Sequence, residues 1–273
     1  MIGAQTEVPL LDLARPLLRT RTMNVGIYKG AAAMNAYERW QQAIAQNLAS
    51  SSVNGYRGTE VAFQGVVGDV MKVKDAALSS RADAKGSMPD TTFGVNTAPG
   101  SLVHTGVDTN FAIQGDGFFR VRKPDGTVAY TRNGNFRMNA DRTLVTQQGY
   151  EVEGAAGAIK FLPQGGAIQL NPQGGLIQGT QQVSSMTVHN FSRPGEMRRI
   201  GDGLMVPAPG DVPRQPDRPP IIQMVVEGSN VVPMQQMVNM VTVSRAYEMA
   251  RKVVEVQDDV VNKTIQSLGN PVS

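Results

Sequence analysis

The stretch EGSNVVPMQQMVNMVTVSRAYEMARKVVEVQDDVVNKTIQSL, residues 227–268, decides the fold. It opens on a turn-forming Gly228-Ser229-Asn230. Met240, Tyr247, Val254, Val261 and Leu268 then recur at heptad spacing, with Val243 and Ala250 between them, before Gln257 and Thr264 weaken the series. Residues seven apart share one side of a helix, so the spacing predicts an apolar stripe along one long helix. Glu248 and Lys252, Arg251 and Glu255, and Asp259 and Lys263 stand four apart and support its charged flank. Such a helix runs roughly 60 Å at about 1.5 Å per residue, too long for one ordinary domain to cover. It requires partners: a second helix of the same chain, and other copies.

The second helix is expected at Asn24–Ser50, with Asn24 as its N-cap. Ile27, Met34 and Leu48 share one heptad position, broken at Gln41, and Gly30, Tyr37 and Ile44 share another. Ala31, Ala32, Ala33, Ala36, Ala43, Ala45 and Ala49 allow close helix approach. The polar surface is mostly amide, which is buried at lower cost than charge. Ser50-Ser51-Ser52 and Asn54-Gly55 end the helix. One amphipathic helix in a globular core would read much the same, but the two best helices stand at opposite ends of the chain with a β-like middle between them. Residues 1–22 form an N-terminal extension ending just before Met23, which is a second candidate start.

Residues 61–100 read as a connector arm, extended where Ala82–Gly100 is poor in large apolar residues. Residues 101–205 read as a β domain. Phe118-Phe119-Arg120-Val121 and Val128-Ala129-Tyr130 flank the hairpin signal Asp125-Gly126, and short apolar runs separated by turn residues continue to Met205. Frequent turns imply an antiparallel barrel or sandwich. Residues 206–226 hold six prolines between Pro207 and Pro220 and read as a stiff return linker. Residues 23–60 and 227–273 would then form a helical inner domain. The fold class expected is α+β: terminal helices paired as a coiled-coil-like inner domain, with a central antiparallel β domain.

Composition narrows the chemistry. The 273 residues carry no cysteine, which removes disulfides, thiol nucleophiles and cysteine metal sites. The net charge of +3 comes from scattered residues, with no basic run suited to nucleic acid. No apolar run approaches the ~20 residues of a membrane span, and no cleavable leader is apparent. The HExxH, GxSxG and P-loop motifs are missing. His104 and His189 lie far apart, and Gly115-Asp116-Gly117 has Arg120 where a nucleotide loop would need its third glycine. Neither catalytic residues nor cofactor, metal or small-molecule sites are expected.

Three segments carry a resemblance. Ile44-Ala45-Gln46-Asn47-Leu48-Ala49-Ser50 with Asn54-Gly55-Tyr56-Arg57 comes first. Gly115-Asp116-Gly117-Phe118-Phe119 with Tyr130-Thr131-Arg132-Asn133-Gly134 is central. Glu227-Gly228-Ser229-Asn230-Val231 with Met237-Val238 and Arg245-Ala246-Tyr247-Glu248 comes last. In this order the chain resembles the bacterial flagellar axial proteins, in particular the rod proteins of the basal body. Gln46 and Ser50 replace the family's usual asparagines, and Arg142 stands where a turn glycine is common.

The resemblance implies a structural subunit of the periplasm-spanning rod that transmits torque, more like the proximal rod type than the distal rod or hook types. It implies export from the cytoplasm through the flagellar type III apparatus, assembly with itself and other rod proteins, and helices that order on assembly. The implied packing residues are Ile27, Met34, Tyr37, Ile44, Asn47, Leu48, Met237, Met240, Tyr247, Val254, Val261 and Leu268. The signature turns are Asn54, Gly55, Gly115, Gly117, Gly134, Gly228, Ser229 and Asn230. A secreted β-domain binding module with the helices as a stalk is the alternative.

Overall fold

The computed structural model describes residues 15–67, 87–163, 165–216 and 220–269. Two helices flank the strands: α1 (Arg15–Ala49) and α2 (Pro233–Gly269). In chain order the strands are β1 (Thr59–Val67), β2 (Ser87–Val95), β3 (Leu102–His104), β4 (Phe111–Ile113), β5 (Phe119–Arg122), β6 (Val128–Thr131), β7 (Arg137–Met138), β8 (Leu144–Val145) and β9 (Glu151–Gly154). They continue with β10 (Gly157–Ala158), β11 (Ile168–Leu170), β12 (Gly175–Gln178), β13 (Gln181–Ser185), β14 (Arg198–Gly201), β15 (Leu204–Val206), β16 (Ile221–Gln223) and β17 (Val225–Glu227). Helix α1 begins before Asn24, so that residue lies within the helix and does not cap it. Pro233 starts α2, where a missing N–H leaves no hydrogen bond unmade. Residues 1–14 of the expected extension and 68–86 of the expected connector fall outside the described residues. At the end of that region β2 pairs with β1.

The chain divides into two compact units. Ala43–Val61 with Phe93–Met237 forms one, and the other contains α1 up to Gln42 and α2 from Val238. In this second unit the expected coiled-coil-like inner domain is not found. The two helices meet at separate points: Val254 packs onto Gly30, and Gln41 donates to the Ser244 hydroxyl at 3.3 Å. Met240, Tyr247, Val254 and Val261 are only half-buried, and within α2 only Val243 is fully covered among the described side chains. The physical reason is that α2 is apolar on two sides. Val238, Val241, Met249, Val253, Val256 and Val260 stand largely exposed on the side opposite the half-buried stripe, so one partner helix cannot seal it. On α1, Gly30 and Gln41 interrupt the large apolar side chains that a continuous seam needs.

The central antiparallel β region is present. Eight strands form one sheet in the order β14-β15-β6-β5-β9-β8-β7, with β10 added beside β9. β5 alternates: Phe119 and Val121 are buried, while Arg120 and Arg122 turn outward to pair with Glu153 at 2.6 and 2.5 Å. Asp125-Gly126 makes the β5–β6 turn, with the Asp125 carboxylate accepting the Thr127 N–H at 2.8 Å. Arg142 supplies the left-handed backbone of its turn, φ 60°, where glycine is the usual solution. The core joins Phe111, Phe119, Phe136, Leu144, Val152, Ile159, Leu176 and Met186, with Phe119 edge-on to Phe136 at 5.3 Å. β11, β12 and β13 form a separate antiparallel meander.

The chain's return closes this unit. Asp211 accepts the N–H groups of Ser192 and Arg193 at 3.2 and 2.9 Å, Asn190 bridges to Arg214, and Ala208 is buried, so the proline-rich segment lies tied to the β domain. β16 then pairs with β4 and β17 with β3. Between them Met224 takes φ 60°, donating to Asn110 O at 2.8 Å and accepting from Thr105 N at 2.7 Å. Replacing Phe136 by alanine should destabilise this unit by about 3–5 kcal/mol, read as a lower urea midpoint; a change below ~1 kcal/mol would contradict the core assignment.

Candidate functional site

At the end of β17, the side chain of Glu227 is 1% exposed and lies between two arginines. One carboxylate oxygen meets Arg57 at 2.7 Å and accepts the Gly100 N–H at 2.9 Å; the other accepts from Arg132 Nε at 2.8 Å. Arg132, also 1% exposed, donates onward to the carbonyls of Gly117 and Gly115, each at 2.7 Å. Arg57 donates to the carbonyls of Thr97 and Ala98. Two guanidiniums face one carboxylate, and backbone carbonyls accept the remaining N–H groups, which is what burial of this much charge requires. Burial pulls the Arg57 pKa below its ordinary value, against the opposing effect of Glu227.

Each of the three sequence signatures supplies one of these residues, and their turns interlock around them. Gly55 holds φ 67° and donates its N–H to the Glu227 carbonyl at 2.7 Å. A Cβ there would stand 2.3–2.6 Å from the Arg132–Asn133 backbone. At Gly134 the gap is narrower still, 1.5 Å from the Phe111 carbonyl oxygen, so only glycine fits either position. Asn230 uses its whole amide: its oxygen accepts the Gly58 N–H at 2.7 Å, and its nitrogen donates to the Asn96 and Ala98 carbonyls at 3.2 and 2.9 Å. Gly228 donates to Ser101 O at 2.7 Å, and the Ser229 hydroxyl accepts the Val231 N–H at 3.2 Å. Gly117 is buried against Val188 and Asn190, while Gly115 is exposed and Asn54 half-exposed.

Asn47 lies 3% exposed, and its amide holds Thr59 from both sides, at 2.8 and 2.9 Å, and accepts the Tyr56 hydroxyl at 3.2 Å. Ile44 is buried as well. Both are therefore used inside the chain. Ile27, Met34, Tyr37 and Leu48 are half-buried on α1, Met237 is half-exposed on α2, and the Leu268 side chain lies outside those described. Arg199, which the sequence did not single out, stacks over the Tyr56 ring at 4.7 Å and donates to the Arg57 carbonyl and the Thr59 hydroxyl. Nothing in Arg198-Arg199-Ile200 signals that role. Arg57, Arg132 and Glu227 carried a signal: each is a charged residue inside a turn-rich signature.

Against Arg57 and Arg132 opens a pocket of about 210 Å³, walled by Val95, Phe118, Phe191 and Pro194 with Asp116. Its two guanidiniums are already engaged. His189 is buried edge-on to Tyr130 at 5.6 Å, whereas His104 is exposed on β3. Among the described residues no group of three or more His, Asp or Glu side chains could hold a metal, and no helix is long and apolar enough to cross a membrane. The arrangement fastens chain segments together and presents no nucleophile paired with a base.

Residues 112–191 match the family model described as the flagellar hook protein FlgE/F/G D1 domain, and residues 222–267 match that of the flagellar basal body rod FlgEFG protein C-terminal region. The chain is 35% identical to the flagellar basal-body rod protein FlgF of Mesorhizobium japonicum, over 91% of this chain and 99% of the relative. It is 29% identical to FlgF of Rhizobium meliloti, over 90% and 99% respectively. It is 27% identical to the rod protein FlgG of Agrobacterium fabrum, over 87% and 97%.

Glu227→Gln leaves two buried guanidiniums facing no anion and should lower unfolding stability by about 3–5 kcal/mol in urea titration; a change under ~1 kcal/mol would mean the ion cluster holds nothing. His189 adds a pH dependence. Burial, reinforced by Arg120, lowers its pKa from 6.5. Its contribution to stability is complete above about 6.5 and is lost as pH falls through the depressed folded value, because the unfolded chain takes the proton first. Urea midpoints should therefore decline just below that pH, and His189→Gln should flatten the decline.

Proposed function

The chain belongs to the flagellar basal-body rod protein family and is a structural subunit of the basal body; on that premise we propose that it takes the FlgF-type, proximal position in the rod and passes torque along the shaft without catalysing a reaction. The observation that carries this reading is likeness over nearly the whole of both chains to a FlgF protein, at 35% identity. A FlgG-type, distal position is the second reading, favoured by 27% identity over 87% of the chain to a FlgG protein. Export through the flagellar type III apparatus, by an uncleaved N-terminal region, belongs to the same proposal.

The helices supply the means of assembly. An exposed α2 face bearing Val238, Val241, Met249, Val253, Val256 and Val260 is unfavourable in water, and burying it is worth ~25 cal/mol per Å². We assign this face to contacts with neighbouring rod subunits. Ile27, Met34, Tyr37 and Leu48 on α1, and Met237, Met240, Tyr247, Val254 and Val261 on α2, belong to the same proposal as further packing residues. The Arg251–Glu255 pair at 2.8 Å is fully at the surface and contributes little to holding any partner.

Hook–basal bodies purified from the native organism should contain this chain by mass spectrometry, and its deletion should abolish motility. Finding it only in the envelope or medium would overturn the reading. Val253→Asp with Val256→Asp should leave the thermal unfolding of the purified chain unchanged yet prevent incorporation into basal bodies. Normal incorporation would remove this α2 face from the assembly.

A further inference from the structure

Asn54 directly precedes Gly55 in the half-exposed turn that leaves α1. In such a pair the glycine nitrogen can attack the asparagine side-chain carbonyl carbon. The C–N bond to the amide group breaks, ammonia leaves and a five-membered succinimide forms. Water then opens the ring at either carbonyl, giving aspartate or isoaspartate. No oxidant or cofactor takes part. The reaction needs the Gly55 nitrogen to lose its proton and swing toward Asn54, and a missing Cβ makes that swing easy.

The folded junction forbids it. The Gly55 N–H is donated to the Glu227 carbonyl at 2.7 Å. The residue is held at φ 67°, wedged so close to the Arg132–Asn133 backbone that even a Cβ would lie 2.3 Å from the Asn133 nitrogen. Both restraints come from distant parts of the chain, and the first exists only while β17 is seated.

We propose that Asn54 is a deamidation site gated by the C-terminal return. It is protected while Glu227 holds Gly55, and it is converted to aspartate or isoaspartate when β17 and the following turn are unseated. Isoaspartate adds one methylene to the main chain next to Gly55, and the gap that excludes a Cβ cannot readmit that longer backbone. Conversion therefore marks irreversibly a chain that has stayed open. The proposal rests on the chain's own junction and stands whichever rod position the protein takes. Asn133-Gly134 is the internal comparison, because Gly134 is confined by the Phe111 carbonyl of the β core and makes no such bond to β17.

The test follows amide-to-acid conversion by mass spectrometry in the full chain at mildly alkaline pH, reading the tryptic peptides that hold Asn54 and Asn133. Three samples are compared: native wild type, wild type in denaturant, and native Glu227→Ala. Native wild type should convert Asn54 at least about tenfold more slowly than the denatured chain, as expected for reaction through a rare opening. Glu227→Ala should recover most of the denatured rate at Asn54 while Asn133 stays slow. Equal Asn54 rates in native and denatured wild type would overturn the proposal. So would a slow Asn54 in Glu227→Ala when amide exchange shows Gly55 released. Should both sites accelerate together, Glu227→Ala has unfolded the whole unit, and Asn230→Ala, which removes only side-chain bonds to Gly58, Asn96 and Ala98, becomes the deciding variant. There, a fast Asn54 beside a slow Asn133 supports the gate, and an unchanged Asn54 beside a freely exchanging Gly55 overturns it.

Discussion

One carboxylate, that of Glu227, holds three remote parts of the chain in register. It sits between Arg57, just beyond the first helix, and Arg132, in the central β region, and all three are almost wholly buried. Removing an ion from water is expensive, and the attraction inside repays it only when every remaining donor and acceptor is satisfied. Here Gly100, Gly115, Gly117, Thr97 and Ala98 complete that set with backbone groups. Such a cluster specifies geometry more than it adds stability, because a chain with one member missing strands the others.

The second constraint is the excess of apolar surface on α2. A surface helix in a monomer normally buries one stripe and hydrates the other. Helix α2 has apolar residues on both, with Arg245 and Lys252 among the exposed valines. Among the described residues its half-buried side meets α1 where Val254 packs onto Gly30 and where Gln41 donates to Ser244, and Gly30 and Gln41 interrupt the seam there. The remaining surface is what a subunit of a multi-chain shaft would keep for its neighbours.

Much of this was legible in the sequence, for identifiable reasons. The β hairpin at Asp125-Gly126 and the alternation of Phe119 to Arg122 follow from local rules that tertiary structure did not override. The signature turns could be located because glycine and asparagine in tight turns leave a compositional trace. Heptad spacing reports which residues share a face, not whether that face is closed, so it did not reveal that Val253, Val256 and Val260 give α2 a second apolar side. Asn24 failed as a cap because the helix pattern persists into the arginine-containing segment before it. Arg199 was invisible: its role depends on a β-hairpin bringing it over Tyr56, 143 residues away in sequence. The ion cluster was half legible, since its three members stood in recognisable motifs while their convergence did not.

The most direct measurement is native-state amide exchange on the full chain, wild type against Glu227→Gln. If Glu227 fastens the three segments, the variant loses protection together at Gly55, Gly100 and Gly228, whose N–H groups lie at the junction, while Val121 and Val152 in the central sheet stay protected. Unchanged protection at those three glycines, or a uniform loss across the sheet as well, would contradict the account.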